Sequence, residues 1–162
     1  GGRKLSECTI STHAEDLNIV VSYFRKKYKN ISVIGHSLGG PTIVLSDTSK
    51  VDSVVLWDPS HMPDLYELAE DEERPPQYVK SLDMYIIEWG TESLLGKKMA
   101  EEFGSLEPET YMKDVHVPVK IIAAQKGNVL GSKAYYKNAN DPKDLVIIKK
   151  ATHSFDEEGA ED

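Results

Sequence analysis

The chain has a single cysteine, Cys8, so it cannot form an internal disulfide. This fits a reducing compartment, and no motif typical of a catalytic thiol surrounds Cys8. The sequence also has no apolar run long enough to span a membrane, and its first ten residues lack the apolar segment of a signal peptide. We therefore expect a cytoplasmic protein with no membrane partner.

Positive charge is also scarce. The formal net charge is −8 at pH 7, and the 19 Lys and Arg residues are not concentrated in one segment. Because a nucleic-acid surface needs clustered Lys and Arg to neutralise phosphates, we expect no nucleic-acid partner. Hydrophobic residues make up 40% of the chain and charged residues 28%, which is the balance of a soluble globular protein. A chain of 162 residues with this balance is expected to fold as one domain.

Short apolar segments alternate with helical patterns along the chain. Strands are predicted at residues 31–35, 51–57, 117–124 and 144–150, where the sequence is apolar and rich in β-branched residues. Because parallel neighbours need crossover segments, this alternation predicts an α/β domain with a mainly parallel sheet and helices on both faces.

The first predicted helix follows a capping box formed by Thr12 and Glu15. Five apolar residues at helical spacing then predict one buried stripe: Leu17, Val20, Val21, Phe24 and Tyr28. The connection over residues 58–116 is too long for a simple crossover, so it must contain an insertion. Within it we predict helices at 76–89 and 93–103.

The stretch "NISVIGHSLGGPTIVL" contains a Gly-x-Ser-x-Gly pattern centred on Ser37. A strand is predicted before the serine and a helix after it, which is the context of a nucleophile elbow. Side chains at Gly35 and Gly39 are expected to collide with the neighbouring strand and helix in so sharp a turn. The backbone N–H of Leu38, at the start of the helix, is expected to donate to a developing oxyanion.

A serine nucleophile needs a base, and His153 is the best placed of the five histidines. It follows the last predicted strand, at the sheet edge from which its ring is expected to reach the serine turn. The order of serine first and histidine last also fits this arrangement. His36 is expected to be packed beside the turn. His61 and His116 have no metal-ligand spacing, so we predict neither a metal site nor a cofactor.

These segments resemble the α/β-hydrolase superfamily, especially its esterase and serine-peptidase-like members. The resemblance lies in "IGHSLGG", "VPVKIIAAQKGN" and "LVIIKKATHSFDEE", and it runs over nearly all of the chain. It implies that the four predicted strands are strands five to eight of that fold. The whole chain, 1–162, is then one hydrolase-like domain, in which residues 59–114 form a lid-like or cap-like insertion.

The acid that orients the histidine is left open between two residues. In relatives the turn after strand seven usually carries this carboxylate, but here the turn contains Asn128 and no acid. Asp58, at the end of strand six, is the favoured substitute, because some hydrolases of this fold place the acid there. Asn128 is the alternative, since an amide can orient a histidine, and a weakened triad is a third possibility. Asp58 could also simply form a turn.

The resemblance implies that four further strands, and a loop supplying a second oxyanion donor, would lie before Gly1. An exposed strand edge at 30–34 is then expected to pair with a second copy of the chain or with a complementary N-terminal fragment. The expected function is a serine hydrolase that acts on a small carboxylic ester through an acyl-enzyme. The alternative is a non-catalytic binding or assembly module with the same fold.

Overall fold

The computed structural model describes residues 2–61, 75–88 and 92–156. The chain divides into two compact units. The first contains residues 1–13 and 62–106, and the second contains residues 14–61 and 107–162. The candidate residues Ser37, Asp58, Asn128 and His153 all lie in the second unit. The expectation of a single domain with an insertion over 59–114 stays a prediction.

A parallel sheet forms the centre of the second unit. Its strands, among the described residues, are β1 (Ser32–His36), β2 (Ser53–Trp57), β6 (Val119–Ala124) and β7 (Lys143–Ile148), arranged in the order β1-β2-β6-β7. Every neighbouring pair is parallel. The α/β prediction is confirmed, and each strand lies within two residues of its predicted start and end. Their carboxyl ends therefore meet at one edge of the sheet.

Two short helices accompany this sheet, α2 (Gly39–Val44) after β1 and α4 (Val129–Asn138) after β6. Turns of 3₁₀ helix lie at Thr48–Lys50 and Pro108–Asp114. The buried core consists of side chains from β2 and β6, from α2, α4 and the helix that precedes β1, and from residues in or beside the two turns. Its members are Val21, Ile43, Val44, Val51, Val54, Leu56, Met112, Val115, Val119, Ile121, Tyr135 and Ala139.

Helix α1 (Ile10–Arg25) begins two residues earlier than its predicted cap. The Thr9 N–H donates to the Thr12 hydroxyl at 2.8 Å, and the Thr12 N–H donates to the Thr9 hydroxyl oxygen at 3.1 Å. Thr9 therefore takes the capping role that the sequence pattern gave to Thr12, because a threonine hydroxyl at the third helical position closes the box as a Glu would. No helix among the described residues is both long enough and apolar enough to cross a bilayer.

The predicted buried stripe of α1 is only partly buried. Val21 is 5% exposed, but Val20, Phe24 and Tyr28 are 49%, 41% and 57% exposed. Ile34 of β1 is 67% exposed, so apolar surface also remains open on this edge strand. Helical spacing identified which residues share a face, but it could not tell whether that face has a neighbour to pack against.

The first unit contains an antiparallel sheet of β3 (Gln77–Val79), β4 (Met84–Glu88) and β5 (Glu92–Gly96), followed by helix α3 (Lys97–Phe103). The predicted helix at 76–89 is therefore wrong, and the one at 93–103 is correct only in its second half. The turn between β3 and β4 includes Asp83 at φ 54°, a left-handed conformation that a continuous helix excludes. Tyr85, Ile86 and Ile87 of β4 are aromatic and β-branched residues, which favour a strand.

Candidate active site

Ser37 lies in the turn between β1 and α2. Its φ of 53° is in the left-handed region, which is strained for a serine. The Ser37 N–H donates to the Trp57 carbonyl at 3.1 Å, so the turn starts where strand pairing to β2 ends. A Cβ at Gly35 would collide with the backbone of Gly39. The strand-to-helix geometry thus agrees with the prediction from the sequence pattern.

One part of the glycine argument was wrong. A Cβ at Gly39 would meet nothing within 4 Å, so the turn does not exclude a side chain there. It is Gly40 that must lack a side chain, because a Cβ there would collide with Pro59. Gly35 allows β1 to approach α2, and Gly40 allows α2 to approach the segment after β2. The Gly-x-Ser-x-Gly pattern does not include that segment.

Leu38 follows the serine and is the residue just before α2. Within the described part of the chain, this N–H donates to no acceptor. Leu38 has helical φ and ψ of −58° and −22°, and its carbonyl accepts from the Thr42 N–H at 3.2 Å. An unpaired amide at this position is available to an oxygen atom bound beside Ser37.

Asp58 follows β2 and is completely buried. Its Oδ1 accepts from the Ala124 N–H at 2.9 Å, and the Asn128 N–H donates to both carboxylate oxygens at 3.2 Å. A Cβ at Gly127 would collide with Oδ2, so this glycine lets the backbone approach the carboxylate. Backbone donors thus satisfy a buried charge that would otherwise be costly.

His153 contacts this carboxylate directly. Its Nδ1 lies 2.5 Å from Asp58 Oδ2, and its side chain is 39% exposed while that of Asp58 is 0% exposed. Of the two candidate acids, the structure brings Asp58 to the histidine. Asn128 contributes its backbone N–H to Asp58 instead. A carboxylate at Nδ1 fixes the ring orientation and leaves Nε2 to face outward as the proton acceptor.

The Ser37 hydroxyl has a different partner. Its Oγ lies 3.2 Å from the Ser60 Oγ, and no hydrogen bond joins Ser37 to His153 among the described residues. The two residues are nevertheless at the same end of the sheet. His36, the neighbour of Ser37, lies 2.8 Å from the His153 carbonyl oxygen through its Nε2. The predicted contact between serine and histidine is therefore not formed in this conformation, and the link between them runs through His36.

His36, which the sequence analysis expects to be packed beside the turn, contacts the segment that carries His153. Its ring stacks on the His153 ring with centroids 4.8 Å apart, and it also contacts the rings of Trp57 and Phe155. These contacts hold the segment that carries His153 against the end of β1. The only sequence signal was the position of His36 next to the candidate nucleophile.

A second set of polar contacts involves Ser60 and the next residue, His61. The buried Tyr135 hydroxyl donates to the Ser60 carbonyl at 2.9 Å, and the His61 Nε2 lies 3.2 Å from Glu109 Oε1. Burial raises the pKa of the Tyr135 phenol well above its usual value, and the Glu109 carboxylate raises this pKa further. The described residues contain no cluster of three or more His, Cys, Asp or Glu side chains suited to a metal ion.

Comparison with known proteins gives matches among solved structures. Est1E from Butyrivibrio proteoclasticus, solved with ferulic acid bound, is 20% identical over 96% of this chain and 65% of its own, with a TM-score of 0.72. The esterase domain of a Rhodothermus marinus protein is 18% identical over 86% of this chain and 60% of its own, with a TM-score of 0.63. A lipase-esterase related protein from Clostridium acetobutylicum is 19% identical over 99% of this chain and 74% of its own, with a TM-score of 0.63.

No protein-family model and no curated protein sequence matches the chain. The chain spans 60 to 65% of the length of the first two esterases described above. At 18 to 20% identity the likeness establishes a shared fold. The predicted resemblance is confirmed at that level.

Proposed function

We propose that this chain, which has the α/β-hydrolase fold of those esterases, is a serine hydrolase that cleaves a small carboxylic ester through an acyl-enzyme. The observation that carries the proposal is the hydrogen bond of 2.5 Å between His153 Nδ1 and the buried Asp58 carboxylate, next to a strained serine. A buried carboxylate costs free energy to maintain, and orienting a base is a function that accounts for it.

In the proposed reaction, the Ser37 Oγ attacks the carbonyl carbon of the ester and forms a tetrahedral intermediate. His153 Nε2 accepts the hydroxyl proton, and Asp58 stabilises the resulting imidazolium. The Leu38 N–H donates to the oxyanion. The intermediate then collapses, the C–O bond to the alcohol breaks, and the alcohol leaves with the proton from His153. Water, activated by the same histidine, hydrolyses the acyl-enzyme and frees Ser37.

This reaction requires the Ser37 hydroxyl to donate to His153. In the present conformation the Ser37 Oγ lies 3.2 Å from the Ser60 Oγ, either hydroxyl can be the donor in that contact, and the hydrogen bond from Ser37 to His153 has to form when the substrate binds. Catalytic hydrogen bonds are often loose without substrate and tighten in the substrate complex. A small ester is the proposed substrate because the matched structures are named as an esterase and a lipase-esterase related protein.

Covalent labelling by a fluorophosphonate tests the proposal directly, because this reagent reacts with an activated serine. We expect labelling of the wild-type chain, no labelling of Ser37→Ala, and unchanged labelling of Ser46→Ala. Ser46 is a matched control: it lies in the same unit, and its hydroxyl donates to the Ile43 carbonyl. Mass spectrometry should locate the adduct on Ser37. A folded wild-type chain that takes no label would contradict the proposed activity.

The second candidate is a binding or assembly module with the same fold. Two observations favour it: the Ser37 hydroxyl contacts Ser60 instead of the histidine, and β1 is the outer strand of the described sheet with Ile34 exposed. An apolar edge of this kind recruits another strand. Its partner would be a second copy of this chain or a complementary N-terminal fragment. Stable self-association without fluorophosphonate labelling would favour this candidate.

A further inference from the structure

Ser60 makes two separate contacts with the candidate nucleophile. Its Oγ lies 3.2 Å from the Ser37 Oγ, and its backbone N–H donates to the Ser37 carbonyl at 3.0 Å. One residue thus contacts both the side chain and the main chain of a serine whose φ is 53°. The main-chain bond supports a strained conformation, and the side-chain bond restricts the χ1 rotation of Ser37.

Ser60 is itself held in place by buried groups. The Tyr135 hydroxyl donates to the Ser60 carbonyl at 2.9 Å, and this tyrosine is 0% exposed. Burial raises the pKa of the phenol, so it keeps its proton and remains a donor over the neutral range. The preceding Pro59 is buried and lies so close to Gly40 that a side chain there would collide with it. Ser60 therefore has little freedom to move away from Ser37.

We propose that Ser60 is a positioning residue for the nucleophile: its hydroxyl donates to the Ser37 Oγ and leaves the Ser37 proton for His153. The proposal rests on the proposed function. A hydroxyl has one donor and two acceptor lone pairs, so a bond accepted from Ser60 does not occupy the Ser37 proton. Asp58 occupies His153 Nδ1, and Nε2 is the remaining ring nitrogen to which this proton can go.

The same bond also has an electrostatic effect. As His153 removes the proton, negative charge develops on the Ser37 Oγ, and a donor that is already in place stabilises it without further reorganisation. This interaction strengthens in the transition state. Its loss should therefore lower kcat more than it raises KM. A residue that only supported the fold would lower the melting temperature without such a selective effect on kcat.

The experiment compares wild type with Ser60→Ala, Ser60→Thr and the control Ser132→Ala. We expect Ser60→Ala to lower kcat for p-nitrophenyl acetate about tenfold, as for the loss of one hydrogen bond to a developing charge, with little change in KM. Ser60→Thr retains a hydroxyl and should recover most of that loss. Ser132 is a buried serine whose Oγ has no partner among the described residues, so Ser132→Ala should leave kcat unchanged. Equal kcat values for wild type and Ser60→Ala would overturn the proposal.

A second measurement separates this proposal from the proposed function. Three-bond couplings in serine-labelled protein report the χ1 populations of Ser37 by NMR whether or not the chain is active. We expect one dominant rotamer in wild type and Ser60→Thr, and at least two in Ser60→Ala. If wild type neither turns over the ester nor takes the fluorophosphonate, the proposed function fails while this coupling test still decides the positioning role. Identical χ1 populations in wild type and Ser60→Ala would overturn it.

Discussion

Replacing Asp58 by Asn tests the contact on which the proposed chemistry depends. The Asn Oδ1 can still accept from the backbone N–H groups of Ala124 and Asn128, so the buried turn keeps these bonds. The amide nitrogen then takes the place of the carboxylate oxygen at 2.5 Å from His153 Nδ1. Two N–H donors cannot face each other, so the ring must adopt the tautomer with its proton on Nε2. That tautomer cannot accept the proton of Ser37.

The size of the effect follows from this change of tautomer. The same substitution in a serine-protease triad lowers turnover by about 10⁴, equivalent to about 5 kcal/mol of transition-state stabilisation. We expect a loss of kcat of about 10³ to 10⁴ for Asp58→Asn with p-nitrophenyl acetate. Asn128→Ala should have a much smaller effect, because its contribution to Asp58 is the backbone N–H, which alanine retains.

The assay needs a matched control and a measure of folding. Asp144→Asn makes the same chemical change at an exposed carboxylate that pairs with Lys120 at 2.9 Å, and surface pairs of this kind contribute little. This variant should keep wild-type activity, and circular dichroism should report a folded chain for all variants. A kcat for Asp58→Asn within tenfold of wild type, in a folded protein, would refute the assignment of Asp58 as the orienting acid.

Three further outcomes are expected. Gly127→Ala should lower both activity and melting temperature, because the alanine Cβ would collide with the Asp58 carboxylate. Ester turnover and calorimetry measure the two effects, and a fully active, equally stable variant would contradict this prediction. Asp52, bonded to Arg25, has its pKa lowered from 3.8 to about 2, so its stabilising effect is present above pH 3.8 and is lost as the pH falls through about 2. Asp52→Asn should therefore reduce the fall in melting temperature over that acid range. An unchanged dependence of the melting temperature on pH would count against a stabilising Asp52–Arg25 ion pair. Light scattering should detect self-association at high concentration that Ile34→Lys reduces, whereas a strictly monomeric wild type would argue against edge pairing.

The sequence was sufficient to predict the parallel sheet and the turn that carries Ser37. Strands β1, β2, β6 and β7 are short apolar segments rich in β-branched residues, and their length and composition together identify them as strands. Ser37 was identifiable because its motif combines glycines with a strand before and a helix after. The failures occurred where an outcome depends on distant residues. The antiparallel β4 has apolar residues that also fit a helix, and pairing with β3 and β5 decides its conformation.

The sequence narrowed the acid that orients His153 to two residues but could not decide between them. Asp58 and Asn128 both follow strands at the same edge, and neighbouring strand ends lie within reach of one histidine. The structure distinguishes them because backbone N–H groups surround the Asp58 carboxylate. Backbone donors leave no signature in residue type. For the same reason the contact of Ser60 with Ser37 could not be found, since it depends on where the chain turns after β2.

The group of main-chain donors around Asp58 also has a consequence for protein engineering. It is made of the main-chain N–H groups of Ala124 and Asn128 and of the missing side chain at Gly127. The side chains of this loop therefore carry little of the chemistry, and Lys126 is exposed within it. In a Cys8→Ser background, Lys126→Cys offers an attachment point for a fluorophore next to Gly127, which lies against the acid, so that a spectroscopic probe can follow substrate arrival while every group that holds the carboxylate stays in place.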